Sequence, residues 1–516
     1  MMTTIASEAS VEEQTCFFSD LWAKRKPLCL LFRTESRGYV YDTGTNRLLA
    51  CSDTEFALLN DFMHMGIPAA ITRAMATSPQ SEILRALDSI RQAVEERNVL
   101  KTKRATQFGL SSHYHFLEEA LSNSLNMIEL EITERCNLRC AYCIYDPHFT
   151  RMRNHGSRDM TLDTAYRSID YLALHSKNTS NSGITFYGGE PLIRFSFIQK
   201  CVSYARRRFK NKAVGFSMTT NATLLRPSIA KYLAQEKFGV NVSIDGPEEV
   251  HDSYRRDALG RGSFSLTISG LKLLLETYGE ERKRITLSMV YAPPYSKNKL
   301  DRIALLWEEY PWLPRDISLN TSYSLGFFPL DRDKKELRDR DFSLFEWARN
   351  EFVDSYHKRT NSHPIAYNFL EKRLASLIQR SIFPAPLGKY HLNGCCIPGV
   401  RKLFVSANGV YSVCERIGGA PQIGTVLTGT DPLLIKKIYI EEYEEKSLPM
   451  CSECWALQLC GICYMHAFNQ KNIDLDMKGE YCAGEKQITR EFLNLYCCLL
   501  EINDSGLDYL MDKKMT

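Results

Sequence analysis

The sequence predicts an α/β protein built on a parallel sheet, with a small α/β module before it and a cysteine-rich part after it. Three observations carry this. From about residue 125 to 290, β-type runs alternate with amphipathic helical runs, and repeated strand–helix units imply a parallel sheet, open or closed into a full or partial barrel. Before about residue 120 the pattern is one of short strands, a hairpin and helical periodicity. Of the 17 cysteines, 11 fall into two groups, 136–143 and 395–482.

With 516 residues, 44% hydrophobic and 24% charged, the chain is long enough for two to four cores. A net charge of +4 is too small to point to nucleic acid or an anionic membrane as partner. The N-terminal residues lack a basic region followed by an apolar one, and no stretch reaches the roughly 18 apolar residues of a membrane span. A cytoplasmic protein is expected. In a large chain of this kind, clustered cysteines point to metal rather than to disulfides.

Residues 1–120 read as one module. Strands are expected at 28–32 and 39–41, with turn residues Asp42, Gly44 and Asn46. Helices are expected through Phe56, Leu58, Leu59 and Phe62, and through Ile83, Leu84, Leu87, Ile90 and Val94. The core, 121–330, holds strands at 128–132, 184–187, 214–218, 240–244 and 285–290, with helical runs such as 165–174 and 264–275 between them. Reactive groups are expected at the C-terminal ends of these strands. Residues 331–390 read as a charged, helical bridge, 391–485 as the cysteine-rich part, and 486–516 as a tail whose helix runs over 485–500.

Cys136, Cys140 and Cys143 place three thiols on eight residues just after the first core strand. Thiolates are soft ligands suited to iron–sulfur clusters, zinc or copper(I), and three of them leave one position of a four-ligand site open. This CxxxCxxC loop resembles that of the radical S-adenosylmethionine (SAM) superfamily. The resemblance implies a partial (β/α) barrel and a [4Fe-4S] cluster on the three cysteines. Its fourth iron chelates SAM, which is split to a 5′-deoxyadenosyl radical. Further motifs match in order. Gly188, Gly189, Glu190 and Pro191 resemble the family's GGEP element, which implies that a carboxylate and backbone groups hold the cofactor's amino group. Asn221 after the third strand, and Ser243 and Asp245 after the fourth, resemble its ribose- and carboxylate-contacting edges; Tyr142 and Arg255 complete the expected cofactor set. The family's usual Gly after the Asn is Ala222 here, which sets a left-handed turn at that point in doubt. His251 and Asp252 read as loop-capping groups.

In the second group, Cys451, Cys454, Cys460 and Cys463 alone have zinc-ribbon spacing. With Cys396, Cys414 and Cys482 they resemble the SPASM extension, which implies two auxiliary [4Fe-4S] clusters. The family's order implies Cys451, Cys454, Cys460 and Cys482 on the outer one and Cys396, Cys414 and Cys463 on the inner. Cys395 either replaces Cys396 or completes the inner set; otherwise an open iron is left for a substrate thiolate. Glu415 stands where sulfatase-maturing members carry a general base. Cys16, Cys29, Cys51, Cys201, Cys497 and Cys498 lack cluster spacing and read as small buried hydrophobes.

SPASM enzymes act largely on peptides and proteins, and the N-terminal module resembles PqqD-like peptide-recognition domains, which implies capture of a precursor's leader as an added strand. Trp455, Ala456 and Tyr464 beside their cysteines, with the 145–160 segment including Arg153 and Asn154, resemble thioether-forming maturases of ranthipeptide and sactipeptide type. The expected function is thioether formation in a precursor peptide, with a flavodoxin or ferredoxin-type electron donor. The alternatives are a sulfatase-maturing (formylglycine-generating) enzyme, a carbon–carbon or carbon–oxygen crosslinking maturase, and a zinc-ribbon binding protein.

Overall fold

The computed structural model describes residues 10–101, 103–109, 115–143, 145, 155–210, 212–323, 334–358, 360–390, 394–417, 419–469, 472–503 and 505–511, with backbone alone at 323 and 334–343. Helix α1 (Val11–Trp22) starts where the Ser10 hydroxyl accepts the Glu13 amide at 3.1 Å. Strands β1 (Cys29–Arg33), β2 (Gly38–Asp42) and β3 (Arg47–Cys51) form an antiparallel sheet in that order. Helices α2 (Asp53–Met65), α3 (Ile67–Thr77) and α4 (Gln80–Arg97) pack on it. The period of two decides which core each residue joins. Val40 packs with Phe18, Leu58, Phe62 and Leu87, whereas its neighbours Tyr39 and Tyr41 face the main core. Strand β3 escaped the sequence reading because Arg47, Leu48, Leu49 and Ala50 include no β-branched residue.

After β4 (Gln107–Phe108) and α5 (Leu117–Asn123), six parallel strands follow in chain order: β5 (Met127–Thr133), β6 (Asn181–Gly188), β7 (Ala213–Thr220), β8 (Gly239–Ser243), β9 (Ile285–Tyr291) and β10 (Ser318–Tyr323). Between them run α6 (Leu162–His175), α7 (Phe195–Arg208), α8 (Pro227–Gln235), α9 (Glu248–Tyr254), α10 (Phe264–Tyr278), α11 (Lys297–Ala304) and α12 (Leu306–Glu309). One face of the sheet is apolar, with Ile128, Leu130, Phe186, Phe216 and Val242 buried in the main core. The other carries a polar row in register, Glu129 beside Thr185 beside Ser217, with Thr185 and Ser217 hydrogen-bonded at 2.8 Å. Strand β10 was missed because Ser318, Asn320, Thr321 and Ser322 make it polar.

Helices α13 (Lys334–Lys358) and α14 (Pro364–Ile378) occupy the expected bridge, and β11 (Lys389–Tyr390) returns to pair with β4. The cysteine-rich part then joins the core sheet. Strand β12 (Leu403–Val405) lies parallel to β5, and β13 (Val410–Ser412), β14 (Gly424–Thr425) and β15 (Gly429–Thr430) continue antiparallel, giving ten strands in the order β10-β9-β8-β7-β6-β5-β12-β13-β14-β15. After α15 (Pro432–Leu434) and α16 (Tyr443–Cys451), the last helix, α17 (Leu475–Ile502), begins ten residues earlier than expected, because Asp474 caps it by accepting the Met477 amide at 2.9 Å.

Cys51, Cys201 and Cys497 are buried as expected. Cys29 and Cys498 are only half-buried, and Cys16 is exposed on α1, so the buried-hydrophobe reading fails there. No described helix is long and apolar enough to cross a membrane.

Candidate functional site

The three-thiol loop leaves the C-terminal end of β5, where reactive groups were expected. It is held from below by the double glycine at the end of β6. Gly188 has φ +140°, and a Cβ on it would stand 2.2 Å from the Thr133 carbonyl oxygen. A Cβ on Gly189 would stand 2.1 Å from the Arg135 oxygen and 2.9 Å from the Cys136 nitrogen. Only glycine permits this approach. The amides of Gly189 and Glu190 then donate to Thr133 and Arg135, each at 2.9 Å, which fixes the loop to β6. Pro191 follows as the first residue of a short 3-10 turn. Burial pushes the Cys136 thiol up to about 12, and Glu190, Cys140 and Cys143 add to the rise, so the three thiols are electrostatic neighbours.

Glu190 is tied into the strand ends. Its carboxylate is 1% exposed and accepts from the Leu192 amide (3.0 Å), the Thr220 hydroxyl (2.7 Å) and the Asn221 amide (2.8 Å). These bonds lock β6 to β7 and so position the loop. Asn221 also faces the chain: its Nδ2 donates to Asn137 at 2.9 Å, and its Oδ1 accepts from Thr223. Asn137 lies between the first two cysteines and was not singled out from the sequence. Ala222 adopts φ +61°, so the left-handed turn placed in doubt is present. The turn survives because Ala222 is buried and its amide donates to the Thr220 hydroxyl at 3.0 Å.

Arg255 is buried and its Nε donates to Asp245 Oδ2 at 2.9 Å. Tyr142 donates to the same oxygen, its ring lies 5.4 Å from the guanidinium, and burial raises the Cys140 thiol while the Arg255 charge lowers it. Arg255 is thus paired internally with Asp245. The Val290 amide holds Asp245 Oδ1 at 3.0 Å. Ser243 ends β8 opposite Ser288. His251 is fully buried between the Asp245 amide and Ser263, and burial drops its pKa to about 4. It is a neutral structural imidazole, in line with the capping role.

The eight thiols of the second region fall into two sets. Cys451, Cys454, Cys460 and Cys482 line one cavity, together with Lys478 and Lys486. Cys463 instead neighbours Cys396, and it neighbours Cys395 and Cys414 as well. The zinc-ribbon grouping of Cys451, Cys454, Cys460 and Cys463 is therefore not the one adopted: α17 supplies Cys482 in place of Cys463. Among the described residues no group of three or more His, Cys, Asp or Glu gathers closely enough to hold one metal ion. Glu415 sits beside Cys414 with Lys402 Nζ 2.6 Å from its Oε2, and Lys402 also contacts Glu129 of β5. Burial pushes the Glu415 carboxyl up, but Lys402 outweighs this and leaves it below its ordinary value. Tyr145 donates to Glu131 at 2.9 Å and stacks on His155. Residues 146–154, including Arg153 and Asn154, lie outside the described residues.

The profile of the radical SAM superfamily matches residues 130–306. A cysteine-type anaerobic sulfatase-maturating enzyme of Clostridium perfringens (strain 13 / Type A) is 32% identical over 377 residues, covering 70% of this chain and 95% of the relative. The chain belongs to the radical SAM superfamily. An uncharacterized protein of Methanocaldococcus jannaschii is 36% identical over 146 residues, 28% of this chain and 47% of that protein. The chain thus spans about half the length of that relative, and it spans 38% and 40% of two further sulfatase-maturating relatives. The solved structure of native anSMEcpe with bound AdoMet shares the fold at TM-score 0.55 and 20% identity, covering 74% of this chain and 99% of that one.

A radical SAM enzyme uses SAM and a [4Fe-4S] cluster, and the Cys136 loop fits such a cluster by its donor set. Its thiols are soft donors, and burial raises those of Cys136 and Cys140, so iron is what would hold them as thiolates. The second region fits an anionic iron–sulfur group by its donor set, and it carries an orphan: the buried Lys478 Nζ has no hydrogen-bond partner. Lys402 and Lys478 both escaped the sequence reading. A Lys-x3-Cys-x3-Lys spacing on α17 was the available signal for the second, hidden by placing the helix start at 485.

Proposed function

We propose that this radical SAM enzyme matures a ribosomally made precursor peptide by forming thioether bridges from cysteine sulfur to a carbon of an acceptor residue. It would do so with a [4Fe-4S] cluster and SAM at Cys136, Cys140 and Cys143. Two auxiliary [4Fe-4S] clusters would sit on the two four-thiol sets, the inner one including both Cys395 and Cys396. The observation that carries the reading is the N-terminal sheet: β3 pairs only with β2 among the described strands, so its outer edge is available to a leader peptide as a further strand. The sulfatase-maturating relative aligns with 70% of this chain, which leaves room for such an added module. A peptide substrate is also supported by a neighbour of the same fold, native anSMEcpe, solved with AdoMet and a peptide named Cp18Cys at TM-score 0.53.

When bound, the SAM cluster supplies a hydrogen-abstracting adenosyl radical, and the auxiliary clusters supply an acceptor for the electron released. The chain's own residues do the rest. Arg255, Asp245 and Tyr142 hold Cys140 in place, and Glu190 with Asn221 and Asn137 fixes the other side of the loop. Glu415, kept ionised by Lys402, accepts the proton of the substrate thiol. Each bridge then removes two hydrogens from the peptide, one as an atom and one as a proton with its electron passed on. A flavodoxin or ferredoxin-type donor would reduce the SAM cluster.

A second reading, formylglycine generation on a sulfatase, is favoured by the relative aligned over 95% of its length. The same hydrogen, proton and electron leave, but the cysteine becomes a thioaldehyde, which water converts to the aldehyde with release of hydrogen sulfide. Reconstituted enzyme given a cysteine-rich precursor peptide should remove two hydrogens per bridge and make the cysteines resistant to alkylation. An unchanged mass there, with an aldehyde formed on a cysteine-containing sulfatase peptide, would establish the second reading instead.

A further inference from the structure

We infer that Lys478 is the built-in counter-cation of the outer four-cysteine set and raises the reduction potential of the cluster held there. This rests on the proposal that Cys451, Cys454, Cys460 and Cys482 hold a [4Fe-4S] cluster.

Lys478 lies on α17 four residues before Cys482, and Lys486 four residues after it, so the three side chains share one helix face. That face lines the cavity of the outer set. Lys478 is 2% exposed, and its Nζ has no hydrogen-bond partner. The face of the Tyr443 ring lies 4.5 Å from it. A buried ammonium compensated by a ring face alone is strongly unfavourable, so the site is built for an anion that protein carboxylates do not supply. Glu485 on the same helix is committed to Arg373 at 3.0 Å and to the Gly461 amide. What surrounds Lys478 is sulfur: Cys451, Cys454, Cys460 and Cys482 line the cavity that it shares.

A four-iron cubane with four thiolates is anionic when oxidised and gains one further negative charge when reduced. A fixed cation in the same dry cavity stabilises the reduced form more, because Coulomb energy grows with the charge it meets and solvent does not screen it. The potential of the outer cluster therefore moves up. Tyr443, whose ring the ammonium faces, lines the same cavity, so the cation sits within the enclosure of the outer set.

The test is a potentiometric titration of the reconstituted holoenzyme followed by electron paramagnetic resonance, in the wild type, Lys478→Met and Lys478→Arg. The expected result is a more negative midpoint for the outer cluster in Lys478→Met, a return toward the wild-type midpoint in Lys478→Arg, and no change in the SAM-cluster signal. Loss of the outer cluster in Lys478→Met with its retention in Lys478→Arg would equally show that the charge is required. An unmoved midpoint with full iron content in Lys478→Met overturns the inference, as does loss of the cluster in both variants. Iron in the wild type sufficient for the SAM cluster alone overturns the auxiliary-cluster proposal itself, a result distinct from an unmoved midpoint.

Discussion

Lys402 Nζ lies 2.6 Å from Glu415 Oε2, and through its second contact with Glu129 it ties the cysteine-rich part to the first core strand. One ammonium thus serves two buried carboxylates, and Arg416 adds a weaker contact to Glu415 at 3.6 Å. Removing the lysine deprives both carboxylates of the cation they share. Lys402→Met should cost about 3–5 kcal/mol of stability by chemical denaturation, and it should raise the Glu415 pKa. The sign follows from linkage. Because the folded Glu415 pKa is depressed, the stability it contributes is present above the ordinary carboxyl value of 4.5 and is lost as pH falls through the folded value. The stability gap between wild type and Glu415→Gln should accordingly narrow as pH falls below 4.5.

The double glycine can be tested separately from the cysteines. In Gly189→Ala the new methyl would meet the Arg135 oxygen at 2.1 Å, which is backbone and cannot swing away. The cysteine loop must lift off β6, at a cost of about 1–3 kcal/mol. Iron bound at this loop should fall, with SAM cleavage lost in parallel, while the auxiliary-cluster spectrum persists. Full iron content with normal SAM cleavage would contradict the close packing.

Ala222 holds a backbone conformation that costs a non-glycine residue about 1–2 kcal/mol. Ala222→Gly removes that strain but adds chain entropy to the unfolded state, about 0.5–1 kcal/mol. A net gain of about 0.5–1 kcal/mol is expected, read as a higher denaturant midpoint. Ala222→Val should move the midpoint the other way, since the residue is also buried under Gly270 of α10, whose added Cβ would stand 2.4 Å from the Ala222 oxygen.

His251 supplies a pH signature. Its pKa falls from 6.5 to about 4 on burial, so the folded protein binds fewer protons in that interval. The stability tied to the neutral ring is fully present above 6.5 and declines as pH drops toward 4, by about 3 kcal/mol in all. His251→Gln, which keeps a donor and an acceptor, should flatten the stability profile over that range. An unchanged slope would place the titrating group elsewhere.

Much of the core was legible because its signals are local. Alternating apolar positions at 128–132 and 214–218 specify buried strands, and a strand followed by a helix leaves few ways to pair except in parallel. The failures were of a different kind. Glu190 and Arg255 were found as residues, but their partners Thr220, Asn221 and Asp245 in the folded chain were not foreseen, since they meet only across strands. Strand β12 could not be foreseen beside β5, from which it is separated by the whole barrel. Lys478 was invisible because burial of a lysine is decided by what packs over it.

The amino-acid sequence by itself determined the chemistry of the first site: Cys136, Cys140 and Cys143 share a loop so short that their proximity follows from chain geometry. How the remaining thiols divide was implied by the family resemblance, and only the tertiary structure decided which packing brings them together. Cys463 is three residues from Cys460 yet joins Cys395, Cys396 and Cys414, while Cys482 arrives on α17 to complete the other set. Adjacent residues can point to opposite sides of a turn, and the packing of a distant helix chooses the partners. That same packing put one unpaired ammonium among the sulfurs.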